Sequence, residues 1–292
     1  MKGFFIMYNN FDKREDRYED TLLIKSMYND RFNAVCKEAK LHNFIDDYVN
    51  GMIPESINLM DYAKAILNYQ DHHYSIPHWD SISPTNITTR CFMSDLRNNL
   101  LVYEMGFCTV TMNWVNKLVN YMIKLSNKKE KDIHVLEICS GHGTLSKALS
   151  NAGIVNIEAI DNFNDNDILN LRDGLPFFKV SNKDMFEALN EYEDSYIKYK
   201  LDFIICAWPR LGYDLEKFVE RLYDIDSNTI FIYIGDGRNG CCANKWFFDS
   251  VKPVLDIKEC KEIEKLYPDW SPWIEGSNEI IRFYKYSPKG SD

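Results

Sequence analysis

The chain predicts an α/β fold, a mostly parallel sheet of seven strands with helices on both faces, preceded by a helical N-terminal cap. Three observations carry this expectation. Residues 134–149 (His-Val-Leu-Glu-Ile-Cys-Ser-Gly-His-Gly-Thr-Leu-Ser-Lys-Ala-Leu) read as a buried strand, a glycine turn and the opening of a helix. Beyond them, short apolar runs alternate with amphipathic helices, the pattern of a parallel sheet with right-handed crossovers and both faces covered. Before residue 109 no alternating strand pattern is convincing, and the periodicity is helical.

In chain order, residues 21–40 carry a helical stripe of Leu22, Leu23, Met27, Phe32, Val35 and Cys36. A second helix is expected from Pro54 to about Tyr69, a third over residues 95–103, and a fourth over residues 110–125. The first strand, ending near Glu137, is followed by a second over residues 157–161 that closes on Asp161. A third strand is expected over residues 176–180. Asp184 then opens a helix, an acid at its positive end. Strands over residues 201–207 and 229–234 are each followed by a helix, over residues 214–223 and 243–251. Residues 254–260 and 279–286 are the last two strands, with no clear helix between them and a Pro- and Trp-containing loop over residues 266–278.

A helix N-terminus exposes backbone N–H groups and a partial positive charge, so a strand–turn–helix is a ready ligand site. Glycine lets the backbone approach that ligand where a Cβ would collide. The segment resembles motif I of the class I S-adenosylmethionine (SAM) dependent methyltransferases, acid-x-Gly-x-Gly-x-Gly at the end of the first strand. Glu137, Cys139, Gly141 and Gly143 fill those slots here, with cysteine in place of the first glycine. The resemblance implies a Rossmann-like domain over residues 109–292 with an antiparallel last strand, and a substrate-selecting extension over residues 1–108. It implies direct methyl transfer from SAM to an acceptor of unknown class. Glu137 is then expected at the cosubstrate's amino group, with Gly141 and Gly143 making room for its methionine and ribose. Asp161, about 20 residues on, would accept from both ribose hydroxyls. Cys139, Ser140, His142 and Leu145 in the loop, Asn162, Asp184 and Met185 after the second and third strands, and Ala207 and Trp208 after the fourth complete the expected cosubstrate site. In the family, the segment before residue 110 can cover the cosubstrate, so Tyr103 and Phe107 are stacking candidates.

Two other readings stay open. A dinucleotide-dependent oxidoreductase needs Gly-x-Gly-x-x-Gly, but its third slot here is Ser146, and a carboxylate just before the loop repels a pyrophosphate. A catalytically silent scaffold of the same fold is favoured by Cys139 and Ala207, which depart from the family pattern. On the acceptor side, Cys206-Ala-Trp-Pro-Arg210 partly resembles the Asn/Asp/Ser-Pro-Pro-aromatic run of enzymes that methylate amino groups of nucleic-acid bases. Trp208 and Pro209 match; Ala207 and Arg210 do not. After the fifth strand, Gly235-Asp-Gly-Arg-Asn-Gly240 is a loop richer in glycine than a connector requires, and Asp236 and Arg238 are its candidates for handling substrate. The catalytic candidates are therefore Asp236, Arg238 and Trp208. His142 and a cap histidine, His73 or His78, are alternative bases; the adjacent His72 and His73 diverge on a regular element, so no metal site is expected there.

Composition agrees. With 292 residues and 45% hydrophobic content the chain buries a sizeable core, and no apolar run approaches the about 18 residues of a membrane span. The eight cysteines contain no CxxC, which predicts reduced thiols, no zinc and a cytoplasmic location. A net charge of −10 disfavours non-specific nucleic-acid binding, and the basic run over residues 124–131 reads as a solvated linker.

Overall fold

The computed structural model describes residues 29–74, 93–94, 96–97, 108–162, 177–195, 200–209, 212–238, 240, 242–268, 270 and 279–287. In the N-terminal part these form α1 (residues 29–39), α2 (Phe44–Val49) and α3 (Leu59–Tyr74). There follow α4 (Met112–Ser126), β1 (His134–Ile138), α5 (Thr144–Asn151), β2 (Asn156–Asp161), β3 (Val180–Asn182), α6 (Met185–Ser195) and β4 (Phe203–Ala207). The chain continues through α7 (Leu215–Ile225), β5 (Ile230–Asp236), α8 (Lys245–Asp249), β6 (Val251–Pro253), α9 (Ile257–Glu264) and β7 (Glu279–Tyr286).

The seven strands make one sheet in the order β3-β2-β1-β4-β5-β7-β6, with β7 antiparallel to both of its neighbours and the other pairings parallel. The strand order reverses between β1 and β4, so a crevice opens at their carboxyl ends, where open α/β sheets take ligands. The apolar strands split their side chains by period two. Phe203, Ile205, Ile232, Ile234 and Phe283 pack against α4, α5 and α9. Ile204, Cys206, Phe231, Tyr233 and Tyr284 pack against α6, α7 and α8 on the other face. This is the Rossmann-like layering that the sequence predicts.

Several elements differ from expectation. α3 starts at Leu59, not Pro54, because the Pro54 and Glu55 carbonyls accept the first N–H groups of α4, from Met112 and Asn113, both at 2.9 Å. Asn58 then opens α3, accepting the Met60 N–H at 3.2 Å. The short helix α2 was not anticipated; Asn43 caps it by accepting the Ile45 N–H. β3 begins at Val180 because the Phe177 N–H is spent on the His142 carbonyl at 2.8 Å. The strand expected over residues 254–260 is instead helix α9, closed at its start by a capping box of Asp256 and Glu259, and the sixth strand lies just before it. The β6–β7 connection therefore does contain a helix. The helix expected over residues 95–103 falls mostly outside the described residues; residues 93, 94 and 96 are helical. Tyr103, Phe107, His78 and Arg210 also lie outside them, and His72 and His73 belong to the last turn of α3. Among the described residues no helix is long and apolar enough to cross a membrane.

The N-terminal helices have their own core of Phe32, Phe44, Tyr48, Tyr62, Ile66 and Leu96, into which Trp270 inserts from the loop before β7. Tyr48 donates its hydroxyl to the Val110 carbonyl at 2.5 Å. A buried ion pair also ties this region to β7. The Arg97 guanidinium meets the Glu279 carboxylate at 2.6 Å with both side chains almost fully enclosed, and it lies over the Trp208 ring, 4.6 Å from its centroid. A buried charge without its partner is costly, whereas a whole pair replaced by uncharged groups often is not. Arg97→Met is therefore expected to lower unfolding free energy by about 3–5 kcal/mol in urea denaturation. Adding Glu279→Gln should recover most of that loss.

Candidate functional site

The loop between β1 and α5 is built on backbone that most residues avoid. Cys139 (φ 55°), Gly141 (φ 52°) and Gly143 (φ 70°) all take the left-handed conformation. Cys139 stands where the family pattern has glycine, which gives that glycine its physical reason: a Cβ there costs on the order of 1 kcal/mol. Trp208, at the end of the neighbouring strand β4, has φ 54°. Two strained non-glycine residues thus sit side by side at the carboxyl edge of the sheet.

The two glycines have separate roles. A Cβ on Gly143 would stand 2.9 Å from the Phe178 Cβ and 3.0 Å from Val180 Cγ2, so this glycine lets α5 seat against the approach to β3. A Cβ on Gly141 would meet no atom within 4 Å, so Gly141 faces open space.

Hydrogen bonds strap the loop to β2. Ser140 donates both its N–H (3.0 Å) and its hydroxyl (3.1 Å) to the Ile160 carbonyl. Gly141 donates its N–H to Asp161 Oδ2 at 2.9 Å. Glu137 points the other way. It is 2% exposed and accepts the hydroxyl of Ser146, with a further bond from the Ser146 backbone, in the first turn of α5. Burial pushes its carboxyl up, the Ser146 bonds oppose the rise, and the nearby Asp161 carboxylate adds to it; the result is about 7.

A cleft of about 290 Å³, counting its open mouth, lies past the ends of β1, β2 and β3. Cys139, Asp161, Asn162, Asp184 and Met185, all expected from sequence, line it together with Ile160, Lys183 and Tyr213. Asp184 also caps α6, accepting the Phe186 N–H at 2.8 Å. Lys183 is held by Glu158 at 3.1 Å and Glu191 at 2.5 Å. Ile160 and Lys183 flank predicted residues and were passed over for lack of a motif. Tyr213 comes from the turn after β4, where attention fell on Trp208 instead.

The remaining expected residues lie elsewhere. His142 is buried within the loop, its carbonyl taken by Phe177. Leu145 belongs to the apolar core between the sheet and α4, and Ala207 and Trp208 pack against that core. Trp208 carries Arg97 over its ring and continues the sheet ladder by donating its N–H to the Ile234 carbonyl at 2.7 Å. Asp236 is buried at the end of β5, and its carbonyl accepts the Tyr233 hydroxyl at 2.6 Å. Arg238 is half-exposed and paired with Asp249 on α8, away from Asp236.

Sheet order, the reversed last strand and the glycine loop at the β1–α5 junction together decide the architecture. The fold is that of the class I methyltransferases. No protein-family model matches the chain, and no curated protein does. Solved structures similar to this methyltransferase fold include a ribosomal protein L11 methylase from Lactobacillus delbrueckii subsp. bulgaricus, at 13% identity over 60% of this chain and 79% of that one, TM-score 0.32. Human methyltransferase-like protein 13 in complex with SAH matches at 14% identity over 61% and 82%, TM-score 0.33. MtNAS in complex with MTA and tNA matches at 12% identity over 93% and 98%, TM-score 0.37. Scores this low leave the reading of the site to its own geometry.

Because Glu137 holds its proton up to about pH 7 in the folded chain and to about 4.5 when unfolded, its contribution to stability is complete below pH 4.5 and disappears as pH rises through about 7. The loss amounts to about 3 kcal/mol. Glu137→Gln should flatten this part of the stability profile, measured as denaturation midpoints across that window; a wild-type slope that survives the substitution contradicts the assignment.

Proposed function

We propose that the chain is a SAM-dependent methyltransferase that passes a methyl group directly to an acceptor held past β4 and β5. The observation that carries this reading is Glu137 lodged against Ser146. The first turn of α5 is the positive end that a dinucleotide pyrophosphate needs. Here a carboxylate already occupies it, and Ser146 stands in the slot of the third glycine. Once Glu137 has given up the proton that it holds to about pH 7, a second negative group is repelled there and an ammonium group is attracted.

The residues fit SAM. Gly141 leaves open space beside the loop, and Asp161 on the cleft wall suits a ribose diol. Ile160, Met185 and Tyr213 offer apolar and aromatic walls to a purine, with Asn162 and Asp184 as polar partners at its edge. Glu137 acts from behind the loop, through the field it sets at the start of α5. When bound, SAM supplies a methyl group already activated on a sulfonium. The protein's work is then to hold the acceptor in line and to take a proton where the acceptor carries one. Trp208 would set the acceptor's plane, and Asp236 is the buried acid best placed by the sheet to receive a proton. Arg238, committed to Asp249 at the surface, acts at most at the rim. The helices over residues 29–74, tied down through Arg97, form the extension that selects the acceptor, and the boundary falls near residue 108.

Calorimetric titration with S-adenosylhomocysteine tests the ribose assignment. Asp161→Ala is expected to weaken binding by about 10- to 100-fold, the loss of hydrogen bonds to a charged acceptor. Unchanged affinity would overturn it.

A further inference from the structure

Cys139 and Cys206 bring two thiols together at the carboxyl ends of adjacent strands. Ile138 registers with Cys206, which places Cys139 one residue beyond it. Strand spacing then puts the two Cα atoms roughly 5–6 Å apart, within the span of about 4.4–6.8 Å that disulfides bridge. Cys139 packs against the core cluster that holds Cys206.

The two thiols differ in access. Cys139 is half-buried and lines the cleft, whereas Cys206 is sealed behind it. That is the arrangement of an attacking thiol and a resolving one. Cys139 is also the strained hinge of the loop, and the two residues after it make the bonds to Ile160 and Asp161. Drawing Cys139 toward β4 works against all three bonds.

We propose that Cys139 and Cys206 form a reversible, peroxide-driven disulfide that shifts the glycine loop and loosens Asp161 on the cleft wall. The Cys139 thiolate attacks one oxygen of the peroxide, the O–O bond breaks, and a sulfenic acid and hydroxide form. The Cys206 sulfur then attacks the sulfenyl sulfur, the S–O bond breaks, and the departing hydroxide takes the Cys206 proton as water. With hydrogen peroxide the balance is two thiols and one peroxide to one disulfide and two waters, with both sulfurs oxidised and the peroxide reduced. A thiol reductant reverses it. The disulfide is independent of ligand; only its effect on binding rests on the SAM reading.

The test treats the reduced full chain with hydrogen peroxide, blocks the remaining thiols by alkylation and maps peptides by mass. The expected product joins the peptides of Cys139 and Cys206, lighter by two hydrogens, and is lost on adding dithiothreitol. Cys206→Ala should stop at a sulfenic acid on Cys139 that dimedone traps, and Cys139→Ser should give no such cross-link. Oxidation should weaken S-adenosylhomocysteine binding on the order of tenfold, with recovery on reduction. Absence of the cross-link, or its formation between Cys206 and the neighbouring Cys242 instead, would overturn the proposal. Undiminished affinity of the cross-linked chain would overturn the loop shift. A reduced chain that forms the cross-link but never binds S-adenosylhomocysteine upholds the disulfide and counts against the SAM reading alone.

Discussion

A carboxylate buried against the opening turn of a helix organises the loop at the carboxyl edge of the sheet. Glu137 lies in the middle of the sheet, nearly free of solvent, and its company is the Ser146 hydroxyl and backbone. Isolated there it would be prohibitive; against a helix N-terminus it is bearable, though its proton is still held to about pH 7. Much of the loop's geometry follows. With the acid facing α5, the loop turns its other N–H groups toward β2, where Ser140 meets Ile160 and Gly141 meets Asp161. Asp161 thereby stands on the cleft wall with a fixed carboxylate.

The carboxyl edge of the sheet gathers several departures from low-energy backbone and ordinary burial. Cys139 and Trp208 both hold left-handed dihedrals, and Arg97 and Glu279 place a full charge pair in an enclosed space beside Trp208. Strain and buried charge persist where the surroundings over-determine them. Here the surroundings are the N-terminal helices, fastened through Tyr48 and Trp270 as well as Arg97. The N-terminal helices thus pack on the same carboxyl edge of the sheet that carries the strained residues.

Most of the sheet was legible because its strands are apolar enough to be buried on both faces, and because Glu137, Gly141, Gly143 and Asp161 keep a recognisable spacing. What was misread had local causes. Residues 254–260 carry apolar Val254 and Leu255 and suggest a strand, yet the Asp256–Glu259 capping box starts a helix there. Pro54 looked like a helix start, yet its carbonyl serves another helix, a long-range use that spacing does not reveal. The packing of Gly143 on Phe178 and Val180 and the place of Tyr213 in the cleft wall are tertiary facts with no motif around them. Arg238 looked available in a glycine-rich loop; its partner Asp249 is eleven residues on, across a helix. Tertiary partners of this kind leave no periodic trace.

On the proposed function, the carboxylate at the head of α5 selects an ammonium-bearing nucleoside over a pyrophosphate-bearing one. Parallel calorimetric titrations of the intact chain with S-adenosylhomocysteine and with NAD test this most directly. Saturable heat is expected with the first and none with the second. Saturable binding of NAD with no response to S-adenosylhomocysteine would contradict it.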